Sequence, residues 1–417
     1  MRVLRLTDAV EEKIFAQRRG RDRVAECAAT RIIQDVQRRG DAALFYWTKR
    51  FDGLALQRGN VWVTRNELRS ASRKVSAAFL DAVNHAARNI RAVARRQKPQ
   101  EWTLDVEPGV RASQRVRPIE TVGCYLPGGR FSLVSTLLMT AIPAQEAGVR
   151  NIIITSPQPS DELLAAAEKI GLRQIARVGG AQAISALAYG TQSIPHVDKI
   201  FGPGNRYVTA AKRLVSADCA IDMLAGPTEA VVFAASGNPI FIAADLLAQA
   251  EHDPDAVALF VTTSPIFARS VAAEIQRQLA QLPKSNPAWR SLAKNGAVLV
   301  ARNFAAAARF VDRFAPEHLS LLGAGAKFAN RFDSAGSIFL GEWSAQSFGD
   351  YATGTNHVLP TGGVARARGG LSTADFVKCI SVQEITRTGL ARLAPVVKQF
   401  AEAEGLLAHA RAVEVRE

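Results

Sequence analysis

The sequence predicts an α/β protein built from two doubly wound units, each a parallel sheet covered by helices. Three observations carry this expectation. Short β-branched runs alternate with helical stretches between residues 151 and 201, the pattern of parallel strands joined by crossover helices. A second series of the same kind runs from 230 to 340. Outside both, before residue 98 and after 389, apolar residues recur at three- and four-residue spacing, which marks amphipathic helices.

Taken in order, residues 12–40 and 65–97 read as helices punctuated by Gly53 and Pro99. From 102 to 122 the pattern turns extended and ends in the loop Gly123-Cys-Tyr-Leu-Pro-Gly-Gly129-Arg130. Glycines there let a ligand approach the backbone closely. Strands follow at 151–155, 174–178 and 197–201, with helices at 160–170 and 180–189 between them. After the loop Leu224-Ala-Gly-Pro-Thr228-Glu229 come strands at 230–233, 256–261, 297–300 and 337–340. The helix at 239–252 carries Gln249 and His252. Beyond Tyr351 the chain is loop-rich until a helical tail at 389–411. The repeat of the two series is architectural, without repeated sequence.

At 417 residues the chain is long enough for more than one core. Its 48% hydrophobic and 22% charged content is that of an ordinary globular protein. No apolar run reaches the length of a membrane span, and Asp245 interrupts the best candidate. The first residues lack the apolar core of a signal peptide, so a cytoplasmic protein without a membrane partner is expected. Cys27, Cys124, Cys219 and Cys379 lie far apart with no C-x-x-C, which argues for buried free thiols over a thiolate metal site or a disulfide framework. The net charge of +14 raises the question of nucleic acid. The arginines at Arg18-Arg19-Gly20-Arg21 and along 88–98 alternate with apolar residues, however, as on an outer helix face. No aromatic residues interleave with them, and no nucleic-acid partner is expected.

Candidate chemistry concentrates in the second half. Gln249 and His252 stand three apart, on one face of a helix, and offer an amide oxygen and an imidazole nitrogen. Alone, such a pair is a solvated helix end. His252, His318, His357 and His409 all lie in polar company, whereas His85 and His196 suit surface or capping roles. Gln249, His252, Asp350 and His409 together would make a nitrogen and oxygen set suited to zinc, with manganese as a substitute. Glu317-His318 lies in a loop between a helix and a strand, where a carboxylate and an imidazole can do paired acid/base work. Two further loops, Val178-Gly-Gly-Ala-Gln182 and Phe201-Gly-Pro-Gly-Asn205, offer helix N–H groups to a phosphate. No G-x-G-x-x-G fingerprint accompanies them, so these residues alone leave a dehydrogenase and a zinc hydrolase equally open.

In combination the blocks are more specific. Gly123 to Gly129, Val178-Gly-Gly-Ala-Gln-Ala-Ile184, Lys199-Ile-Phe-Gly-Pro-Gly-Asn205, Ala225-Gly-Pro-Thr-Glu229, Gln249-Ala-Glu-His252, Ala315-Pro-Glu-His-Leu319, Gly349-Asp350-Tyr351, Asn356-His-Val-Leu-Pro360 and Glu404-Gly-Leu-Leu-Ala-His409 follow one another in order. In this the chain resembles the histidinol dehydrogenase family, the N-terminal helices agreeing more loosely. The resemblance implies oxidation of L-histidinol to L-histidine by two NAD in succession through a bound aldehyde, the last step of histidine biosynthesis. It implies one zinc per chain on Gln249, His252, Asp350 and His409, and acid/base roles for Glu317 and His318. Tyr125, Gln182 and Asn205 would contact NAD. Thr228, His318 and Glu404, with the zinc ligands, would hold the substrate; the family commonly has Ser at position 228, and Thr keeps the hydroxyl.

The family's architecture is a homodimer of chains with two incomplete Rossmann-like domains and exchanged tails, so that each active site is shared. The corresponding division here is a helical segment at 1–20 and a discontinuous first α/β domain at 21–124 and 230–372 carrying the metal and catalytic residues. A second α/β domain at 125–229 would make the NAD contacts, and 373–417 would be the exchanged tail. A dehydrogenase of another small alcohol on the same scaffold is the rival reading.

Overall fold

The structure is a computed structural model that describes residues 1–18, 22–128 and 133–417. Arg19, Gly20, Arg21, Gly129 and Arg130 of the motifs above lie outside the described residues. Strand β1 (Arg2–Arg5) leads into helix α1 (Asp8–Arg18), and four helices follow: α2 (Arg23–Arg39), α3 (Asp41–Asp52), α4 (Arg65–Lys74) and α5 (Ala77–Gln97). Their starts are fixed locally. Asp22 and Ser76 accept from backbone N–H groups of α2 and α5, and Thr64 with Glu67 forms a reciprocal capping box on α4.

A hairpin, β2 (Trp102–Glu107) and β3 (Val110–Pro118), precedes the first α/β series. That series is β4 (Thr121–Tyr125), α6 (Val134–Ala147), β5 (Asn151–Thr155), α7 (Asp161–Lys169), β6 (Ile175–Ala176), α8 (Gly180–Tyr189), β7 (Lys199–Phe201), α9 (Arg206–Val215) and β8 (Ala220–Ile221). The second series is β9 (Glu229–Phe233), α10 (Pro239–Ala250), β10 (Val257–Thr262), α11 (Pro265–Leu279), α12 (Ala288–Lys294), β11 (Ala297–Val300), α13 (Phe304–Phe314), β12 (His318–Leu321) and β13 (Ser337–Leu340). Then come α14 (Gln346–Tyr351), β14 (Val377–Ile385), α15 (Arg387–Ala403) and α16 (Leu407–Glu414).

The first series forms a parallel sheet in the order β6-β5-β4-β7-β8, the second a parallel sheet in the order β1-β11-β10-β9-β12-β13. Numbered within its own series, each has the order 3-2-1-4-5, the doubly wound arrangement without its sixth strand. In the second sheet β1 adds an edge strand, pairing Arg2 to Arg5 with Ala297 to Val300. The two α/β units and their incompleteness are as expected.

Three features differ from the sequence reading. Residues 1–20 are not simply helical: β1 belongs to the larger sheet, and Leu4, Leu6, Val10, Ile14 and Phe15 pack on that sheet's core. The helices of 21–124, grouped from sequence with 230–372, share their cores with helices of the first series. Helices α2 and α3 bury Ala25, Ile32, Leu44 and Trp47 with residues of α8 and α9, and α4 and α5 bury Leu68, Val83 and Ile90 with residues of α6 and α7. These helices therefore form an outer layer on the helices that flank the smaller sheet, the one next to them in the chain. Lastly, β14 pairs antiparallel with β3 over its whole length and, with β2, α15 and α16, forms a separate arm. Its apolar residues Ile380 and Ile385 stay exposed, which is why the stretch lacked the look of a core strand.

Of the four cysteines, Cys124 and Cys219 are buried free thiols as expected, while Cys27 and Cys379 are exposed. Among the described residues no helix is long and apolar enough to cross a membrane.

Candidate active site

At the amino edge of the larger sheet, β9 and β12 lie side by side with His318 opposite Ala230. The residue before each strand therefore projects into the same space. Thr228 Oγ1 donates to Glu317 Oε2 at 2.6 Å, and the same carboxylate oxygen accepts from Glu229 N at 2.9 Å. Thr228 Oγ1 also stands 3.3 Å from Gln249 Oε1, and Gln249 Nε2 donates to Asp350 Oδ2 at 3.4 Å. Helix α10 supplies Gln249 from its last turn; it ends at Ala250, and His252 follows in a turn with its N–H on Gln249 O. His318 lies over Phe339, ring centroids 5.9 Å apart. Its ring nitrogens are buried and have no hydrogen-bond partner among the described residues. The nearest carboxylates, Glu317 at 3.8 Å and Asp350 at 3.6 Å, stand just beyond hydrogen-bond length. Thr228, Gln249, Glu317, His318 and Asp350 thus converge.

Burial governs the charges. It pushes the Glu317 carboxyl up to about 7 against the opposing effects of His318 and the Thr228 hydroxyl. For His318 burial acts downward, but Glu317 and Asp350 outweigh it and hold the imidazole above its ordinary value. Asp350 is held below the usual carboxylate range because His318, His357 and His252 outweigh its burial. Behind these groups lies a pair that spacing in the sequence gave no hint of. Arg18 grips Glu229 with two nitrogens, Nε at 2.7 Å from Oε1 and Nη2 on Oε2, and its guanidinium lies 3.7 Å from the centre of the Phe314 ring. Glu229 is the residue whose N–H holds Glu317. His357, also unassigned from sequence, bridges the Asp350 backbone oxygen (2.8 Å) and Thr136 Oγ1 (3.2 Å) on α6, tying the two units together.

The smaller sheet brings Tyr125, Gln182 and Asn205 to its carboxyl edge. Tyr125 ends β4, and its hydroxyl accepts from Gly180 N at 3.1 Å. Gln182 is fully buried in the first turn of α8, its Oε1 without a partner among the described residues. Asn205 follows β7 and caps α9, accepting from Tyr207 N and Val208 N. Helices α6 and α8 begin on this edge with no side-chain cap. The Gly202 turn beside Asn205 is held by a buried ion pair. Lys212 Nζ donates to Gly202 O at 2.8 Å and pairs with Asp222, whose Oδ2 accepts from Gly202 N at 2.7 Å. At φ +107°, and with Tyr125 O only 2.2 Å from where a Cβ would sit, only glycine fits there.

A cleft of ≈ 1050 Å³ runs between the units, with Leu133 and Val134 at the start of α6 on one side and Glu251, His252 and Tyr351 on the other. Glu404 and His409 are not in it. Both are exposed on the arm, where Phe400 and Leu407 are 65% and 76% exposed. Of the four expected metal ligands, one chain brings together Gln249 and Asp350, with His252 in the adjoining cleft. Among the described residues no group of three His, Cys, Asp or Glu side chains is placed to hold a metal.

Comparison with known proteins bears on this geometry. The family model described as histidinol dehydrogenase matches residues 16–417. The histidinol dehydrogenase of Vibrio parahaemolyticus is 46% identical over 395 residues, spanning 93% of this chain and 91% of its own. That of Geobacillus kaustophilus is 47% identical over 392 residues, 92% of each. The crystal structure of histidinol dehydrogenase from Elizabethkingia anophelis matches with a TM-score of 0.93 at 38% identity, covering 100% of this chain and 98% of that one.

Proposed function

The chain belongs to the histidinol dehydrogenase family, and from this premise we propose that it oxidises L-histidinol to L-histidine, the last step of histidine biosynthesis. NAD, when bound, accepts the hydride in each of two successive oxidations, with the aldehyde held in the site between them. The observation that carries this reading is the convergence of Thr228, Gln249, Glu317, His318 and Asp350, with both His318 ring nitrogens buried and unpartnered among the described residues. Burying an imidazole without partners is costly unless a ligand supplies them.

His318 takes the carbinol proton as hydride leaves. Glu317, whose carboxyl is pushed up to about 7 by burial so that it exchanges a proton readily near neutrality, then, in its ionised form, takes a proton from the water that adds to the aldehyde. Thr228 keeps Glu317 oriented through the 2.6 Å hydrogen bond and, with the arm's Glu404, holds the substrate. Tyr125, Gln182 and Asn205 hold NAD beside the starts of α6 and α8, whose N-cap residues make no side-chain cap and whose first-turn N–H groups suit its pyrophosphate.

Zinc would be held by Gln249, His252, Asp350 and His409, with manganese as a substitute, and would supply a template for the amine and imidazole of histidinol. The donors fit in kind: one chain brings an amide and a carboxylate together, with Gln249 Nε2 3.4 Å from Asp350 Oδ2, and sets the His252 imidazole in the adjoining cleft. A third charged or imidazole ligand is missing from that chain. A homodimer that exchanges arms provides it, placing His409 and Glu404 of a second copy at the site. The exposed apolar residues Phe400, Leu406 and Leu407 support this, since an isolated two-helix arm has too little core to cover them. We place the reaction in the cytoplasm, where four free thiols are at home.

The test is NADH formation on adding L-histidinol to the zinc-loaded protein, with two NADH per histidine formed. Turnover of another small alcohol in its place would favour a paralogous dehydrogenase, and no NADH with either would end the proposal.

A further inference from the structure

In a doubly wound unit the adenosine ribose of a dinucleotide lies beyond the carboxyl end of the second strand, where an Asp or Glu accepts from its hydroxyls. Here the second strand of the smaller sheet is β5, and the residues after it are Ser156, Pro157 and Gln158, with no carboxylate. A carboxylate is nevertheless brought to that place from outside the unit. Asp52 is the last residue of α3. Gln158 Nε2 donates to its backbone oxygen at 2.9 Å, which pins it above the end of β5. Gln182 Nε2 donates to its Oδ2 at 3.4 Å, and its charge reaches the Tyr125 hydroxyl at the end of β4.

Asp52 is therefore anchored among the very residues assigned to NAD, yet it is poorly satisfied. Burial raises its pKa, and no cation counters that among the described residues. Beside it the amide oxygen of Gln182 is fully buried without a partner among the described residues. Gly180 keeps the space next to that oxygen open: its φ is +65°, and a side chain there would fall 2.6 Å from Gln182 Oε1. Two acceptors short of donors, side by side at the ribose position, call for a ligand that brings hydroxyl groups.

We propose that Asp52 accepts hydrogen bonds from the adenosine ribose of NAD and selects NAD over NADP, whose 2′-phosphate would meet its carboxylate. This rests on reading the Tyr125, Gln182 and Asn205 loops as the NAD site.

The experiment compares kcat and KM for NAD and NADP, with L-histidinol and the full-length zinc-loaded enzyme, in the wild type, Asp52→Asn and Asn205→Ala. Thermal midpoints are measured alongside. Asp52→Asn should raise KM for NAD about 10- to 100-fold, the scale of a hydrogen bond to a charged group, and leave kcat and KM for histidinol unchanged. NADP should not lose in step, so the preference for NAD should shrink by about tenfold or more. Wild-type enzyme should show a comparable rise in KM with an NAD analogue lacking the adenosine 2′-hydroxyl. An unchanged preference, including equal weakening of both cofactors as from a merely structural lesion, overturns the assignment. If Asn205→Ala raises KM for NAD and Asp52→Asn does not, the site stands and Asp52 is removed from it; if neither does, both fall. Should Asp52→Asn fail to fold, the analogue decides on wild-type enzyme, and an unchanged KM sinks the proposal.

Discussion

In the smaller sheet the residues assigned to the cofactor end or follow β4, β6 and β7; in the larger sheet the residues assigned to chemistry precede β9 or precede and begin β12. The two sheets share one strand order, and the assigned residues sit on opposite edges of them. The carboxyl edge of a doubly wound sheet collects helix N-termini and the amino edge collects helix C-termini. The first carries partial positive charge and free N–H groups, the second partial negative charge and free carbonyls. On the reading above, an anionic dinucleotide meets the starts of α6, α8 and α9. A divalent ion and the ammonium of histidinol meet the ends of α10 and α13. On that reading, one architecture used twice in opposite senses would serve ligands of opposite charge. A second difference follows from the arm. One chain assembles its cofactor edge alone, but leaves the chemical edge without Glu404 and His409.

Four perturbations probe this division, from the largest expected effect to the smallest. Chelation should abolish turnover and leave NAD binding, followed by calorimetry, nearly intact, since no proposed metal ligand belongs to the carboxyl edge. Loss of both together would break the comparison. Next, Glu317→Gln should slow aldehyde oxidation more than alcohol oxidation, and His318→Asn should slow alcohol oxidation at least as strongly. Losses of about 10²- to 10⁴-fold are the scale of a general base; small, equal effects on both half-reactions would remove the pair from the mechanism.

The buried ion pairs offer a matched contrast. Arg18→Met strands Glu229 behind the chemical edge, and Lys212→Met strands Asp222 behind the cofactor edge. Each should cost about 3–5 kcal/mol in denaturant unfolding, the scale for removing one member of a buried pair. Their kinetics should separate, with lower kcat for Arg18→Met and higher KM for NAD for Lys212→Met. The same parameter moving in both would blur the two edges into one. Smallest, Gly202→Ala forces a side chain toward Tyr125 O at φ +107°. It should cost upward of about 1 kcal/mol and weaken NAD binding while sparing KM for histidinol.

What the sequence made legible follows from local physics. The runs at 151–155, 230–233, 256–261 and 297–300 are strands because they are short, apolar and bounded by turns, and the structure has strands at each. The run at 174–178 shrinks to Ile175–Ala176, and β1, with Val3 exposed in an Arg-Val-Leu-Arg stretch, gave no core signal. Which sheet α2 to α5 would cover was not legible, because an apolar helix face does not name its partner. In the site, the blocks around Thr228, Gln249, Glu317, His318 and Asp350 marked residues that do converge. Arg18 and Glu229 lie 211 residues apart and Asp52 and Gln182 lie 130 apart, with no motif to link them. Such pairings emerge only once the sheets set helix ends side by side.

The central claim is that a second copy completes the chemical edge, and complementation tests it most directly. His252→Ala lesions the body of the site and His409→Ala the arm, and each variant alone should be inactive. Unfolded and refolded together in equal amounts, half the dimers are mixed. If arms are exchanged, a mixed dimer has one site with both lesions and one with neither, so about a quarter of wild-type activity should return. If the arm serves its own chain, every site keeps one lesion, and a mixture as inactive as its parents would contradict the account.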